Sequence, residues 1–85
     1  MLDTLKRNDT ELIKDIGLFC KKFRVDYLQM GMTEFAERRE LKLGNVNAFE
    51  RGSANSIIYL LHYYDEADEN LKQFFMNSVF ENYRR

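Results

Sequence analysis

Between positions 10 and 26 the apolar residues Leu12, Ile13, Ile16, Phe19, Cys20 and Phe23 recur at i, i+1, i+4, i+7, i+8 and i+11. That stripe fits a 3.6-residue period, with Lys14, Asp15, Lys21, Lys22 and Arg24 lying off it. The spacing predicts a first helix from about 10 to about 26, opened by the cap chemistry of Asn8, Asp9 and Thr10. Periodicity lapses over 27–32, where Gly31 suits a turn. Thr33 is the expected N-cap of a short helix over 34–39 that turns Phe35 and Ala36 inward. A tight turn at 40–42, plugged by Leu41, leads to a second short helix over 43–49. Its Val46 and Phe49 face inward at i and i+3, opposite the small residues Gly44, Asn45, Asn47 and Ala48. A turn around Gly52 follows, with Asn55 or Ser56 as cap for a nearly all-apolar helix from 57 to about 64. Asp68 caps the last helix, about 69–83, which carries Leu71, Phe74, Phe75, Val79, Phe80 and Tyr83. Met1 to Asn8 form a short mixed segment in which Leu2 and Leu5 could pack. Strand-like alternation of useful length is absent, so the expected fold is all-α. The pattern describes one compact five-helix bundle spanning residues 1–85.

Composition sharpens this picture. The chain of 85 residues has no proline and is 45% hydrophobic, with 7 Phe and 5 Tyr to build a bulky core. A net charge of −1 excludes a polybasic or strongly acidic tail. The four glycines at 17, 31, 44 and 52 read as punctuation between elements. A lone cysteine, Cys20, allows no internal disulfide and no multi-cysteine zinc site, and its place on the apolar stripe makes it a small buried hydrophobe. With no signal peptide and no apolar run near the ~20 residues of a membrane span, the expectation is a cytoplasmic protein without membrane contact. His62 has no second His or Cys at ligand spacing, and Asp65, Glu66, Asp68 and Glu69 lack the pattern of a calcium loop. No enzyme motif and no cofactor site is expected.

The order helix, short helix, tight turn, short helix, glycine turn, helix is that of a helix-turn-helix domain, here over about 33–50. Phe35-Ala36, Leu41, Val46 and Phe49-Glu50-Arg51-Gly52 together resemble the signature of the lambda-repressor-like (Cro/C1, XRE) family, across roughly residues 16–64. Glu40 stands where that family usually has glycine, and Arg24 lies about one residue from the arginine that often ends its first helix. The resemblance implies a bacterial or phage transcriptional regulator, repressor- or Cro-like, that binds operator DNA as a dimer. Gly44, Asn45, Asn47 and Ala48, with Lys42, would then lie at the major groove, with Thr33, Arg38 and Arg51 on the phosphate backbone. The residue types suit such contacts, since Asn pairs bidentately with adenine and an alanine methyl can touch the thymine methyl.

Charge is sorted weakly in the same direction. Residues 38–51 hold four basic side chains against two acidic ones, whereas residues 56–85 hold three against five. Arg38 and Arg39 could instead pair with Glu34 or Glu37, and Lys21, Lys22 and Arg24 read first as a solvated face and second as phosphate contacts. Glu50 is expected to fix the following turn by hydrogen bonding. The last helix has more apolar surface than one face needs, so part of it is expected to close the core and part to meet a second copy, with Phe74, Phe75, Val79, Phe80 and Tyr83 as the candidate dimer interface. The alternative function, from another class, is a helical protein-interaction module such as an antirepressor, which the near-neutral net charge suits.

Overall fold

The computed structural model describes residues 9–54 and 56–84. The packing of 1–8 and capping by Asn55 lie outside that range. Among the described residues the chain is all-helical: α1 (Asp9–Lys22) runs into a π-helical segment (Phe23–Leu28), followed by α2 (Met32–Arg38), α3 (Leu43–Glu50), α4 (Ile57–Glu66) and α5 (Glu69–Arg84). Asp9 and Glu11 in the first turn of α1 and Lys21 and Lys22 in its last match the helix dipole.

The first helical stretch therefore reaches Leu28, beyond the expected end near 26. The wider π turn accommodates one more residue than an α turn, and it sends both Phe23 and Arg24 inward. Gln29 ends it in the left-handed region, its N–H donating to the Arg24 carbonyl. Gly31, in extended backbone, is the N-cap of α2, and Thr33 sits inside the first turn rather than capping it. The turn after α2 closes when the Leu41 N–H donates to the Ala36 carbonyl at 2.8 Å. Glu40 holds a left-handed φ of 56° there, the conformation glycine adopts without steric cost. Gly52 meets the same demand after α3, with φ 78°. Ser56 Oγ accepts from the Tyr59 N–H to start α4, and Asp68 Oδ1 accepts from the Leu71 N–H to start α5. α4 runs past the expected end at 64 to Glu66, whose carboxylate is held by Arg38 and Arg39.

The core is aromatic. Phe23, Phe35, Tyr63 and Phe75 are fully buried together with Val46 and Cys20. Phe35 stacks on Tyr63 at 4.4 Å, and Phe23 meets Phe75 at 4.8 Å. Burial raises the Cys20 thiol pKa, and Glu50 adds to the shift, so the thiol stays protonated and behaves as an apolar group. Gly17 does not break α1. It lies where α1 crosses α3 so closely that an added Cβ would stand 2.5 Å from the Phe49 carbonyl oxygen and 2.8 Å from that of Glu50.

Candidate nucleic-acid interface

α3 is fastened on one side and open on the other. Val46, Phe49 and Glu50 are buried, while Gly44, Asn45 and Asn47 are exposed and Ala48 is half-buried. Glu50 does not serve the following turn. That turn is closed by backbone alone, the Gly52 N–H donating to the Phe49 carbonyl and the Ser53 N–H to that of Ala48. Glu50 instead accepts from Arg24 Nε at 2.8 Å and Nη2 at 2.9 Å, and from the Tyr63 hydroxyl at 2.7 Å. Arg24 is buried, not a solvated or phosphate-binding residue, and its remaining Nη1 donates to the Met30 carbonyl. The bond to Glu50 raises the Arg24 pKa against the opposing effect of burial. Burial, reinforced by the bond to Glu50, pushes the Tyr63 phenol up as well. Three helices thus meet at one carboxylate, which fixes how α3 is rotated.

A groove of about 440 Å³ runs beside the open face of α3. Lys14, Leu18 and Lys21 of α1 line it, with Met32 of α2 and Asn47, Glu50 and Arg51 at the α3 side. Lys14, Leu18 and Lys21 fall at i, i+4 and i+7, one face of α1. A smaller recess of about 130 Å³ lies on the other flank, bordered by Asn45, Ala48, Ser56 and Tyr59. Lys42 caps the start of α3 and is exposed, as are Arg51 at its end and Thr33 in the first turn of α2. Among the described residues no ion pair engages Lys14, Lys21, Lys42 or Arg51.

Arg38 and Arg39 have a different environment. Neither pairs with Glu34 or Glu37. Arg38 reaches Glu66 at 3.0 Å, and Arg39 bridges to Asp65 and Glu66 at 3.0 Å each while donating from Nε to His62 Nδ1 at 2.9 Å. Arg38, whose side chain stays 56% exposed, thus joins the α2–α4 contact, and a phosphate there would compete with the Glu66 carboxylate. The basic character beside α3 comes from α1 instead. Lys14 carries no local sequence signal for this role; only the crossing at Gly17 brings it there.

α5 divides its expected set between the core and the surface. Phe75 and Val79 are buried in the chain's own core and have no surface to offer a partner. Phe74 packs against Tyr27 at 4.9 Å on one edge of α5. Phe80 and Tyr83 are exposed, with the Arg84 guanidinium 5.8 Å over the Phe80 ring. Phe80 and Tyr83, three residues apart, share one side of the helix about 60° from each other, while Phe74 points about 180° away from Tyr83, so the exposed rings make one small pair and not a continuous aromatic face.

No cluster of three or more His, Cys, Asp or Glu side chains suited to a metal ion occurs among the described residues, and no helix there is long and apolar enough to cross a membrane. Comparison with protein-family models, with curated proteins and with solved structures finds no match for the chain.

Proposed function

We propose that the chain is a sequence-specific, double-stranded-DNA-binding transcriptional regulator of the helix-turn-helix kind, acting on operator DNA as a homodimer. α3 enters the major groove, whose width admits a helix. Asn45 and Asn47 address base edges, the bare Gly44 permits close approach, and the Ala48 methyl meets the groove wall. Lys14, Lys21, Lys42 and Arg51, with the Thr33 hydroxyl, contact phosphates and set register. Control comes from occupying the operator. The observation that carries this reading is the exposed Gly44, Asn45 and Asn47 edge beside four cations engaged in no ion pair among the described residues. The resemblance to the lambda-repressor-like signature supports it independently.

Selection of duplexes from a random pool, followed by anisotropy titration, tests the proposal. Asn45→Ala is expected to weaken the selected site by ~1–3 kcal/mol and to leave random duplex binding unchanged. Equal loss on both would remove Asn45 from base recognition, and no binding at low salt would end the DNA reading. A second reading, a protein-interaction module, draws on the exposed Ile57, Ile58 and Leu61 of α4, and capture of a partner without DNA binding would favour it.

A further inference from the structure

We infer that the dimer forms through α4, by an antiparallel pairing of its exposed aliphatic stripe with the same stripe of a second copy. This rests on the homodimer in the proposed function and replaces the α5 surface with a specific one. Ile57, Ile58 and Leu61 are 64%, 58% and 47% exposed, and they lie within about 100° of arc on one helix face. α5 offers a smaller surface, the single pair Phe80 and Tyr83 with the Arg84 guanidinium over the Phe80 ring, since Phe74 is turned to Tyr27. The α4 face also holds both halves of a self-complementary contact. Ile57 projects, and beside it a recess of about 200 Å³ is bordered by Arg39, Ile58, Leu61, His62 and Asp65. A two-fold axis near Ile58 and Leu61 sets each Ile57 toward the partner's recess.

Charge fixes the direction of the pairing. Asp65 lies on the same stripe, about 12 Å along the axis from Ile57, and its carboxylate is 63% exposed although one oxygen is engaged by Arg39 at 3.0 Å. The first turn of α4 carries no acidic residue, so the positive end of that helix meets only the neutral Ser56 hydroxyl. In an antiparallel pair each Asp65 stands beside the start of the partner's α4; in a parallel pair the two acids face each other. The size of the patch sets the strength. Its aliphatic surface amounts to roughly 300 Å² per chain, the apolar share of an interface near 1,000 Å² in total, which lies at the low end for specific association. A weak dimer is expected, one that DNA carrying two half-sites would reinforce.

Sedimentation equilibrium of the full chain without DNA, from about 1 µM to about 0.5 mM, tests this apart from operator binding. The wild-type chain is expected to show a monomer–dimer equilibrium. Ile58→Glu with Leu61→Glu should raise the dissociation constant at least about tenfold with unchanged helical circular dichroism, because both residues are about half exposed in the monomer. Asp65→Asn should weaken the dimer by about two- to fivefold. Phe80→Glu with Tyr83→Glu should leave it unchanged. A wild-type chain monomeric throughout, or a dimer lost only in the Phe80/Tyr83 variant, overturns the α4 interface. A dimer indifferent to Asp65→Asn overturns the antiparallel arrangement.

Discussion

At the scale of single residues, two backbone positions carry more of the fold than their size suggests. Gly17 costs α1 about 1 kcal/mol of helix propensity relative to alanine, yet an alanine methyl would overlap two carbonyl oxygens of α3. Neither oxygen can move without shifting α3, so Gly17→Ala is expected to destabilise the chain by about 1–3 kcal/mol net. Urea unfolding checks this, with an unchanged m value marking a change in stability alone. Glu40 is the reverse case. Its left-handed φ strains a residue that bears a Cβ, so Glu40→Gly should gain about 0.5–1 kcal/mol, read as a rise in Tm of several degrees. A loss of stability there would mean that the Glu40 side chain makes a compensating contact.

At the scale of elements, α2 is tied to α4 through Arg39, and that tie responds to pH. His62 accepts a hydrogen bond at Nδ1, which only the neutral ring can do at that nitrogen. Burial, and then the Arg39 charge, lower its pKa despite the opposing pull of Asp65 and Glu66. The unfolded chain, with an ordinary histidine near 6.5, therefore binds the proton more readily than the folded one. Stability is complete above about pH 6.5 and declines as the pH falls from there through the folded pKa. Glu66 adds a second loss on further acidification: burial would raise its pKa, but the bonds from Arg39 and Arg38 outweigh that and lower it. Melting curves between pH 7.5 and 5 should show the first decline, and His62→Gln should flatten it. A slope unchanged by that substitution would assign the effect elsewhere. These ties also mark where the sequence stops being legible. The α1 stripe, the inward Phe35, Ala36, Val46 and Phe49, and the caps at Ser56 and Asp68 are local patterns that propensity and periodicity encode. The π turn is not, because one additional residue per turn is selected by the need to bring Arg24 to Glu50, 26 positions away. Arg38 and Arg39 likewise find their acids 26 to 28 positions along the chain, which local spacing could not indicate.

At the scale of the whole molecule, near-neutral net charge and DNA binding are compatible because opposite charges are spent in different places. The acids of α4 neutralise Arg38 and Arg39, and the cations of α1 and α3 stay available beside Asn47. Four such contacts per chain give a dimer a log–log salt slope of roughly −7, and Lys21→Ala should reduce its magnitude by about 2, one contact in each copy. An unaltered slope would place Lys21 off the phosphate backbone. The candidate face is thus half visible in the sequence: α3 declares its own outward edge, whereas its α1 flank exists only because two helices cross at a glycine. The junction of Arg24, Glu50 and Tyr63 has a consequence for descent. Removing either charged member strands the other in the interior at a cost of about 3–5 kcal/mol, much of what a domain this small has to lose. Inheritance can therefore seldom alter these positions one at a time. Diverged cousins should either keep the arginine and carboxylate together or have replaced both with apolar groups.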